Sequence, residues 1–481
     1  TVAFLPTLVL LLSAVLYLAF ERPFMAVGAG SRGPDPGGGA RAVRRPGTAV
    51  VGLLAVALAV GTGCSRPEPR ARNVILVSVD TLRPDFLSCY RPELDTTPNV
   101  ARFAEGAAMF TDVLSQAPST TISHKSLLYG LYPAVHKATS AHRPRESVAS
   151  PVEALRARGF RTAAFVGGGG LAPELGFPLG FESYEVLPKL RTGRQLETLR
   201  SESIAWLREH RAERFFLFLH MYQPHCPYSP PEPYASRASW YRGDVDPEGK
   251  CGREYMAMNL EDDDYRYLRD LYAAEVAYTD DYLGDLFTEL DDLGLTDETI
   301  VILTSDHGES LGERGHVGHN LPFDLQLRIP LLIRIPGSPG SVLDSPVESV
   351  DVVPTVFDAL DLPLPFPPNG RSLLGLIDRG EAPPPRARYA QEGDTVSIHM
   401  GPWHLIQSGT SVELYRPEED PEEWTNLADR HPDVVQALRD EYFRMLDACV
   451  TVSAHFESTF GKPVPLEDDT VERLRGLGYV D

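Results

Sequence analysis

Short apolar runs bounded by turn-forming residues recur along the chain, and they restrict its fold more than any other feature. The runs cover residues 74–79, 162–166, 215–219, 299–303 and 330–335. Each run is apolar throughout instead of alternating with polar residues, which is typical of strands buried on both faces of a mostly parallel sheet. Such strands need helices on both sides, so the pattern predicts an α/β domain if helices lie between the runs.

Helix signals do lie between the runs. Thr97 and Pro98 form an N-cap and first-turn pair that predicts a helix over residues 99–107. A capping box over residues 150–153 opens a second helix, which Gly159 ends. Residues 267–293 place leucines at helical spacing, with acidic residues on the opposite face. The alternation of strands and helices therefore predicts a three-layer α/β domain.

Carboxylate and imidazole side chains follow three of the predicted strands. Asp80 follows the first strand, His220 the third, and Asp306 with His307 the fourth; His225 comes soon after His220. The carboxyl ends of strands form the binding crevice of open α/β sheets, so we expect these side chains to meet. Each alone could be a helix cap, a turn residue or a packed side chain. Together they favour a site for a divalent cation.

Charge is unevenly distributed along the chain. The net charge is −22, yet residues 1–72 contain eight Arg and three acidic residues. The remaining body is therefore strongly acidic, which argues against a nucleic-acid partner.

The N-terminal region has the pattern of a membrane or export signal. Residues 2–20 are almost continuously apolar and about long enough to span a bilayer. A second apolar run, residues 49–60, follows a basic flank and leads to small residues and Cys64, a layout that resembles the lipobox of bacterial lipoproteins. A lipid-modified Cys64 or a plain membrane anchor are both compatible with this pattern. Either predicts an exported, membrane-associated protein, periplasmic or at the cell surface if the source is bacterial.

The chain has five cysteines and no CxxC pair, which excludes a zinc ribbon or a thioredoxin-like redox site. Export makes disulfides possible. With Cys64 set aside, we expect Cys226 to pair with Cys251 before other combinations.

Several longer motifs occur in one order along the chain. They are NVILVSVDTLRPDFLSCY at 73–90, TTISHKSLLYG at 120–130, FLHMYQPHCPYSPP at 218–231, SDHGESLGERGHVGHNLPFDLQLRIPLLIRIP at 305–336, DVVPT at 351–355, GRSL at 370–373, and LGY at 477–479. Together they resemble the sulfatase family of the alkaline phosphatase superfamily. The resemblance implies a three-layer α/β/α alkaline-phosphatase-like domain over residues 73–386 and a small antiparallel-sheet subdomain over 387–481, after the membrane or signal region and linker of 1–72.

The resemblance also implies a metal site. Asp80, Asp306 and His307 match the family's metal ligands, and one carboxylate position is lost because Thr81 stands where many members have Asp. We expect one divalent cation (Ca, Mg, Mn or Zn). His220, His316 and His319 are candidates for a second site, although a single ion is the expectation.

The nucleophile position departs from that of sulfatases proper. Thr120 stands where the family carries the Cys that is converted to formylglycine, and Thr cannot give that aldehyde. We therefore expect no formylglycine. Instead the Thr120 hydroxyl, also a ligand of the ion and activated by it, would attack sulfur or phosphorus. In the resemblance His225 protonates the leaving oxygen, while His319 and His124 (replacing Lys and Arg) contact the ester oxygens.

These residues predict an exported, metal-dependent hydrolase of a sulfate or phosphate ester, carried by a small molecule or a glycan. Two alternatives stay open from sequence. One is a membrane-tethered transferase of the phosphoethanolamine or phosphoglycerol type. The other is a family member that has lost catalysis and binds a modified glycan.

Overall fold

The computed structural model describes residues 70–138, 150–187, 194–247 and 250–457. Within these ranges, no helix combines the length and the apolarity needed to cross a bilayer. The predicted apolar spans, Cys64 and the LGY motif at 477–479 lie outside the described residues.

The strands and helices alternate along the chain, as the apolar runs predict. The strands are β1 (Asn73–Val79), β2 (Ala108–Phe110), β3 (Val113–Leu114), β4 (Arg161–Val166), β5 (Ser183–Val186), β6 (Phe215–Met221), β7 (Thr299–Ser305), β8 (Ser310–Leu311), β9 (Val317–Gly318), β10 (Leu331–Arg334), β11 (Ser341–Leu343), β12 (Val347–Glu348), β13 (Arg388–Glu392), β14 (Thr395–Met400), β15 (Trp403–Ser408) and β16 (Ser411–Tyr415). The α-helices are α1 (Pro98–Glu105), α2 (Thr120–Tyr129), α3 (Pro133–His136), α4 (Pro151–Arg156), α5 (Arg194–His210), α6 (Gly252–Met256), α7 (Asp262–Asp292), α8 (Asp324–Leu327), α9 (Val352–Ala359), α10 (Leu374–Arg379) and α11 (Pro432–Glu457).

The described residues form an eight-stranded main sheet in the order β11-β2-β10-β7-β1-β6-β4-β5. Strand β1 lies in the middle and pairs in parallel with β6 and β7. Strand β10 runs antiparallel to both of its neighbours, β7 and β2. The sheet is therefore mostly parallel, as predicted, with one reversed strand that its apolar run did not reveal.

Helices cover both faces of the main sheet. Val74 and Leu76 of β1 belong to a cluster with Leu127 of α2, while Ile75 and Val77 belong to another cluster, which includes residues of α7. Successive residues of a strand point to opposite faces, so β1 is buried on both sides because each face has its own helical layer. This explains the continuous apolarity of the predicted strands and confirms the three-layer architecture.

A separate antiparallel sheet, β13-β14-β15-β16, lies near the C-terminus. Its Leu405 and Leu414 pack with Leu438 of α11. The backbone N–H of Gln391 donates to the carbonyl of Gln116, 2.9 Å away, which joins this sheet to the loop before α2. The antiparallel sheet is as predicted, and the domain boundary at residues 386 and 387 stays a prediction.

Cys226 and Cys251 form a disulfide, which is the pairing expected from sequence. Among the described residues, Cys89 and Cys449 are free thiols. The disulfide ties the segment after β6 to the start of α6, and Cys226 directly follows His225.

Candidate active site

The register of the main sheet brings three strand ends together. Val79 of β1 lies opposite Met221 of β6 and Ser305 of β7. The backbone N–H of Asp80 donates to the carbonyl of Met221 at 2.9 Å. Asp80 and Asp306 therefore leave neighbouring strands at the same edge, as the sequence predicts. His220 differs from its prediction, because it lies within β6 and not after it.

Asp306 is held at the centre of this edge. Its Oδ1 accepts hydrogen bonds from the backbone N–H groups of Thr81 (3.1 Å) and His307 (2.9 Å). Its Oδ2 has no hydrogen-bond partner in the described part of the chain, although it lies 3.4 Å from His307 Nε2. Two backbone donors thus fix the carboxylate while its second oxygen faces the interior of the cluster.

Asp80, Asp306 and His307 form a group whose potential ligand atoms all lie within 4.8 Å of one another. All three side chains are buried. A buried carboxylate costs several kcal/mol unless it is paired or binds a cation, and oxygen with imidazole donors suits divalent metals. The donor set and the unpartnered Asp306 Oδ2 therefore fit the predicted divalent cation.

The hydrogen bonds of His307 fix which ring nitrogen carries the proton. Nδ1 lies 2.9 Å from the carbonyl of Gly308, and a carbonyl only accepts, so Nδ1 donates. Burial lowers the pKa of His307 to about 4, which leaves Nε2 unprotonated near neutral pH. The lone pair of Nε2 therefore points toward Asp306 and toward Thr120.

Thr120 is the first residue of α2 and is buried. Its Oγ1 lies 3.3 Å from His307 Nε2. The loop at Gly170 closes over it, since a Cβ added to Gly170 would lie 2.8 Å from the Cβ of Thr120. The Thr120 hydroxyl thus lies against the carboxylate and imidazole cluster, as the sequence predicts.

His225 and His319 face each other with their Nε2 atoms 3.2 Å apart. Nδ1 of His225 lies 2.5 Å from the carbonyl of Cys226, and Nδ1 of His319 lies 3.1 Å from that of Pro118. Both Nδ1 atoms must therefore donate, which makes both Nε2 atoms acceptors when the rings are neutral. A hydrogen bond between the rings would require one additional proton, and burial lowers the pKa of His319 to about 3, so His319 does not hold that proton near neutral pH. The rings of His319 and His307 also touch, with centroids 4.4 Å apart, so this pair adjoins the cluster.

His124 lies in the same region but contacts protein atoms through both ring nitrogens. Nδ1 is 2.7 Å from the carbonyl of Thr120, and Nε2 is 2.9 Å from Ser78 Oγ. Burial lowers the pKa of His124 to about 3, so the ring is neutral. The predicted donation from His124 to ester oxygens has no support in these contacts, because both nitrogens are already engaged.

Two groups near the cluster were not assigned a role from sequence. Ser78 contacts His124 from inside β1, where an apolar run gave no reason to single it out. Glu309 accepts a hydrogen bond from Tyr228 at 2.8 Å and is fully buried. Burial, together with the charge of Asp80, raises the pKa of Glu309 to about 8. Its position two residues after His307 was the only available signal.

His316, a candidate for a second metal site, instead lines a cavity of about 260 Å³ near residues 421–423. The metal-type residue groups found in the described ranges do not include it. His220, another candidate for a second metal site, does belong to such a group, together with His124 and Asp306.

Known proteins resemble this chain in sequence and in fold. The sulfatase family model matches residues 72–362. The multifunctional alkaline phosphatase superfamily protein PehA of Trinickia caryophylli is 25% identical over 406 residues, which are 64% of this chain and 78% of that protein. Choline-sulfatase of Rhizobium meliloti is 33% identical over 186 residues, covering 37% of this chain and 36% of that enzyme.

A solved structure shares the fold. The phosphonate monoester hydrolase of Agrobacterium radiobacter superimposes with a TM-score of 0.68 at 21% identity, covering 82% of this chain and 100% of that one.

Proposed function

The chain belongs to the sulfatase family of ester hydrolases, and on that basis we propose that it cleaves a sulfate or phosphate ester with Thr120 as the nucleophile and a divalent cation as cofactor. The observation that carries the proposal is the position of Thr120 Oγ1, 3.3 Å from His307 Nε2 at the edge of the buried carboxylate cluster. The other hydroxyls of α2 have different partners; Thr121, for example, donates to the carbonyl of Gly170 at 2.8 Å.

Asp80, Asp306, His307 and Thr120 would hold the cation. Bound there, it supplies positive charge that makes the Thr120 hydroxyl more acidic and offsets the negative charge of the ester. Formylglycine has no part in the proposal, because Thr120 occupies the position of its precursor Cys in the sequence resemblance.

Different residues of the chain act in different steps of the reaction. Thr120 gives its hydroxyl proton to water, and Oγ1 forms a bond to phosphorus or sulfur while the bond to the leaving oxygen breaks. His225, when protonated at Nε2, gives that proton to the leaving oxygen. Water then attacks the Thr120 ester and releases phosphate or sulfate; one proton of the water restores the Thr120 hydroxyl, and the proton first released by Thr120 restores His225.

The substrate class is the least determined part of the proposal. Relatives include proteins named as a choline-sulfatase and as a phosphonate monoester hydrolase, which supports a sulfated or phosphorylated small molecule or glycan. Formylglycine hydrates can expel sulfate by elimination, whereas a Thr ester must be hydrolysed. Phosphoryl transfer is the easier of the two for Thr120, so we expect phosphate or phosphonate esters to be turned over faster than sulfates.

Turnover of paired substrates tests this function. Each pair joins one acid (phosphate, phosphonate or sulfate) to 4-nitrophenol or to a simple alkyl alcohol, and wild type is compared with His225→Ala. A poor alkyl leaving group needs the proton, so we expect the variant to lose roughly 10²- to 10⁴-fold in kcat/KM on alkyl esters. On 4-nitrophenyl esters the loss should be much smaller, because 4-nitrophenolate leaves without protonation.

His210→Ala, which changes a histidine on α5 outside the site, is the matched control and should behave as wild type on both substrates. Equal losses on both leaving groups would contradict proton donation by His225. Wild type that is inert on every ester with every divalent metal would contradict the hydrolase proposal. Product formed only when an acceptor alcohol is supplied would favour the transferase alternative.

We further propose that the protein is exported and membrane-associated through residues 1–72. The apolar segments and Cys64 support this, and the Cys226–Cys251 disulfide is compatible with an oxidising compartment. The full chain expressed in a bacterium should fractionate with membranes, and Cys64→Ser should move it to the soluble fraction. Cys89→Ser is the control. A Cys64→Ser protein that stays in the membrane would contradict lipidation and favour the plain anchor.

A further inference from the structure

The disulfide lies next to a histidine of the candidate active site, and the reaction steps give it no role. Cys226 directly follows His225, and its carbonyl oxygen accepts hydrogen bonds from His225 Nδ1 at 2.5 Å and from the Tyr222 hydroxyl at 3.1 Å. The backbone position of Cys226 therefore sets the orientation of the His225 ring. Cys226 is buried, and its sulfur is bonded to that of Cys251.

Beyond the disulfide, the chain contacts the segment that carries His319. Gly252, the first residue of α6, directly follows Cys251. A Cβ added to Gly252 would lie 3.0 Å from the carbonyl oxygen of Val317, and a Cβ added to Gly318 would lie 3.1 Å from the Cα of Gly252. The backbones of α6 and β9 are thus in direct contact, with little room for a side chain between them. His319 is the next residue after Gly318.

The disulfide and the contact between α6 and β9 together connect the two histidines. The Nε2 atoms of His225 and His319 lie 3.2 Å apart, although 94 residues separate them along the chain. Cys226, Tyr255 of α6 and Val317 of β9 belong to one buried apolar cluster, which packs the connecting segments against each other. The position of His225 relative to His319 therefore depends on a connection that is only a few residues long on either side.

We propose that the Cys226–Cys251 disulfide, with Gly252, positions His225 for proton donation to the leaving oxygen. The inference rests on the proposed function, in which His225 is the proton donor. A donor must lie within hydrogen-bonding distance of the oxygen that it protonates, and a displacement of about 1 Å can cost about 100-fold in rate. None of the three residues is assigned a contact with substrate, so they are positioning residues.

Cys251→Ser tests this role because it breaks the disulfide and keeps the Cys226 carbonyl. Wild type and variant are compared on the paired alkyl and 4-nitrophenyl esters. We expect kcat on alkyl esters to fall by about 10- to 100-fold, since these leaving groups need the proton. KM should change by less than about twofold, because the proton is transferred only in the transition state. On 4-nitrophenyl esters kcat should stay close to wild type.

A second variant tests the same connection without altering a thiol. Gly252→Ala places a methyl group against the Val317 carbonyl and should push α6 away from β9. We expect a loss of the same kind, confined to alkyl esters, but smaller than that of Cys251→Ser. Cys449→Ser is the matched control, since Cys449 is a free thiol on α11 that is buried like Cys226. It should behave as wild type on both substrates.

Reduction of wild type gives the same comparison if Cys251→Ser does not fold. A water-soluble phosphine cleaves the disulfide: phosphorus takes the oxygen of a water molecule and becomes phosphine oxide, and the two sulfurs receive two electrons and two protons. Reduced wild type should match Cys251→Ser, and reoxidation with a small disulfide should restore its activity on alkyl esters. Cys251→Ser treated with the phosphine should not change further, which controls for effects on bound metal.

The pattern of losses separates positioning from a merely structural role. Equal losses on alkyl and 4-nitrophenyl esters, through unfolding or otherwise, would overturn the proposal, and so would wild-type kcat on alkyl esters without the disulfide. His225→Ala is measured alongside. A loss that depends on the leaving group in His225→Ala but not in Cys251→Ser would overturn the positioning role alone. Its absence in His225→Ala would contradict proton donation itself, and the positioning role with it.

Discussion

Replacing Thr120 with Ala should remove ester hydrolysis while the protein stays folded. Loss of a covalent nucleophile typically costs on the order of 10⁴-fold or more in kcat, and the remaining site contributes only binding and charge stabilisation. Thr120 Oγ1 contacts His307 Nε2, so the substitution removes the hydroxyl without leaving a buried charge. We expect kcat on the best aryl ester to fall by that factor and the thermal unfolding temperature to change little.

A conservative variant of Thr120 separates the effect of its hydroxyl from that of its methyl group. Thr120→Ser keeps the hydroxyl and should retain much of the activity. Thr121→Ser, at the next residue of α2, is the matched control and should leave turnover close to wild type, because the hydroxyl that donates to Gly170 is kept.

Wild type that is quenched in acid during turnover should also yield a peptide containing Thr120 whose mass is increased by one phosphoryl or sulfuryl group. A Thr120→Ala protein with wild-type kcat would show that the nucleophile lies elsewhere.

The second large effect is expected at Asp306, where Asp306→Asn should strongly weaken both metal binding and activity. The amide oxygen of Asn can still accept the hydrogen bonds from Thr81 and His307, so the backbone around it is preserved. The negative charge is lost, and Oδ2, which faces the cluster, is replaced by an amide NH₂ group, which donates hydrogen bonds. We expect metal affinity and kcat/KM each to fall by at least about 100-fold, in line with the loss of a direct ligand and of its charge.

Thermal unfolding with and without metal distinguishes this effect from simple misfolding. A ligand present at a hundred times its dissociation constant stabilises the native state by about 2.7 kcal/mol. Added Mn²⁺ or Zn²⁺ should therefore raise the unfolding temperature of wild type and leave that of Asp306→Asn unchanged. Without metal the variant should be at least as stable as wild type, because a buried carboxylate has been neutralised.

Asp378→Asn is the control, since Asp378 lies on α10 and pairs with Arg70 and Ser338 away from the cluster. It should show the wild-type response to metal. An Asp306→Asn protein that is stabilised by metal as strongly as wild type would contradict the role of Asp306.

The pattern of apolar residues was enough to predict the layers of the fold. The burial of the interior strands of the main sheet can be predicted from their own residues, because a strand that is covered on both faces has apolar side chains on both faces. The same reasoning did not predict the direction in which each strand runs relative to its neighbours. Residues 330–335 read as one more buried strand, yet β10 is antiparallel, and apolarity does not depend on which way a strand runs.

Some features of the active site could likewise be predicted from sequence, and others could not. Asp80, Asp306 and His307 could be placed from sequence because each follows a strand end, and strand ends of a mostly parallel sheet meet at one edge. The engagement of His124 by Ser78, and the approach of His220 to Asp80, could not. The first depends on how α2 packs against β1, and the second on the register between β1 and β6, where Ser78 lies opposite His220.

By itself, the sequence determined which segments are buried and which chemical groups end them, since burial and side-chain chemistry are local properties of a segment. Only the tertiary structure decided the distances between groups far apart in the chain, such as Thr120 and His307 or His225 and His319. Those distances depend on strand register and on the packing of helices against the sheet. Both involve contacts between segments that are far apart in the sequence, so no single segment determines them.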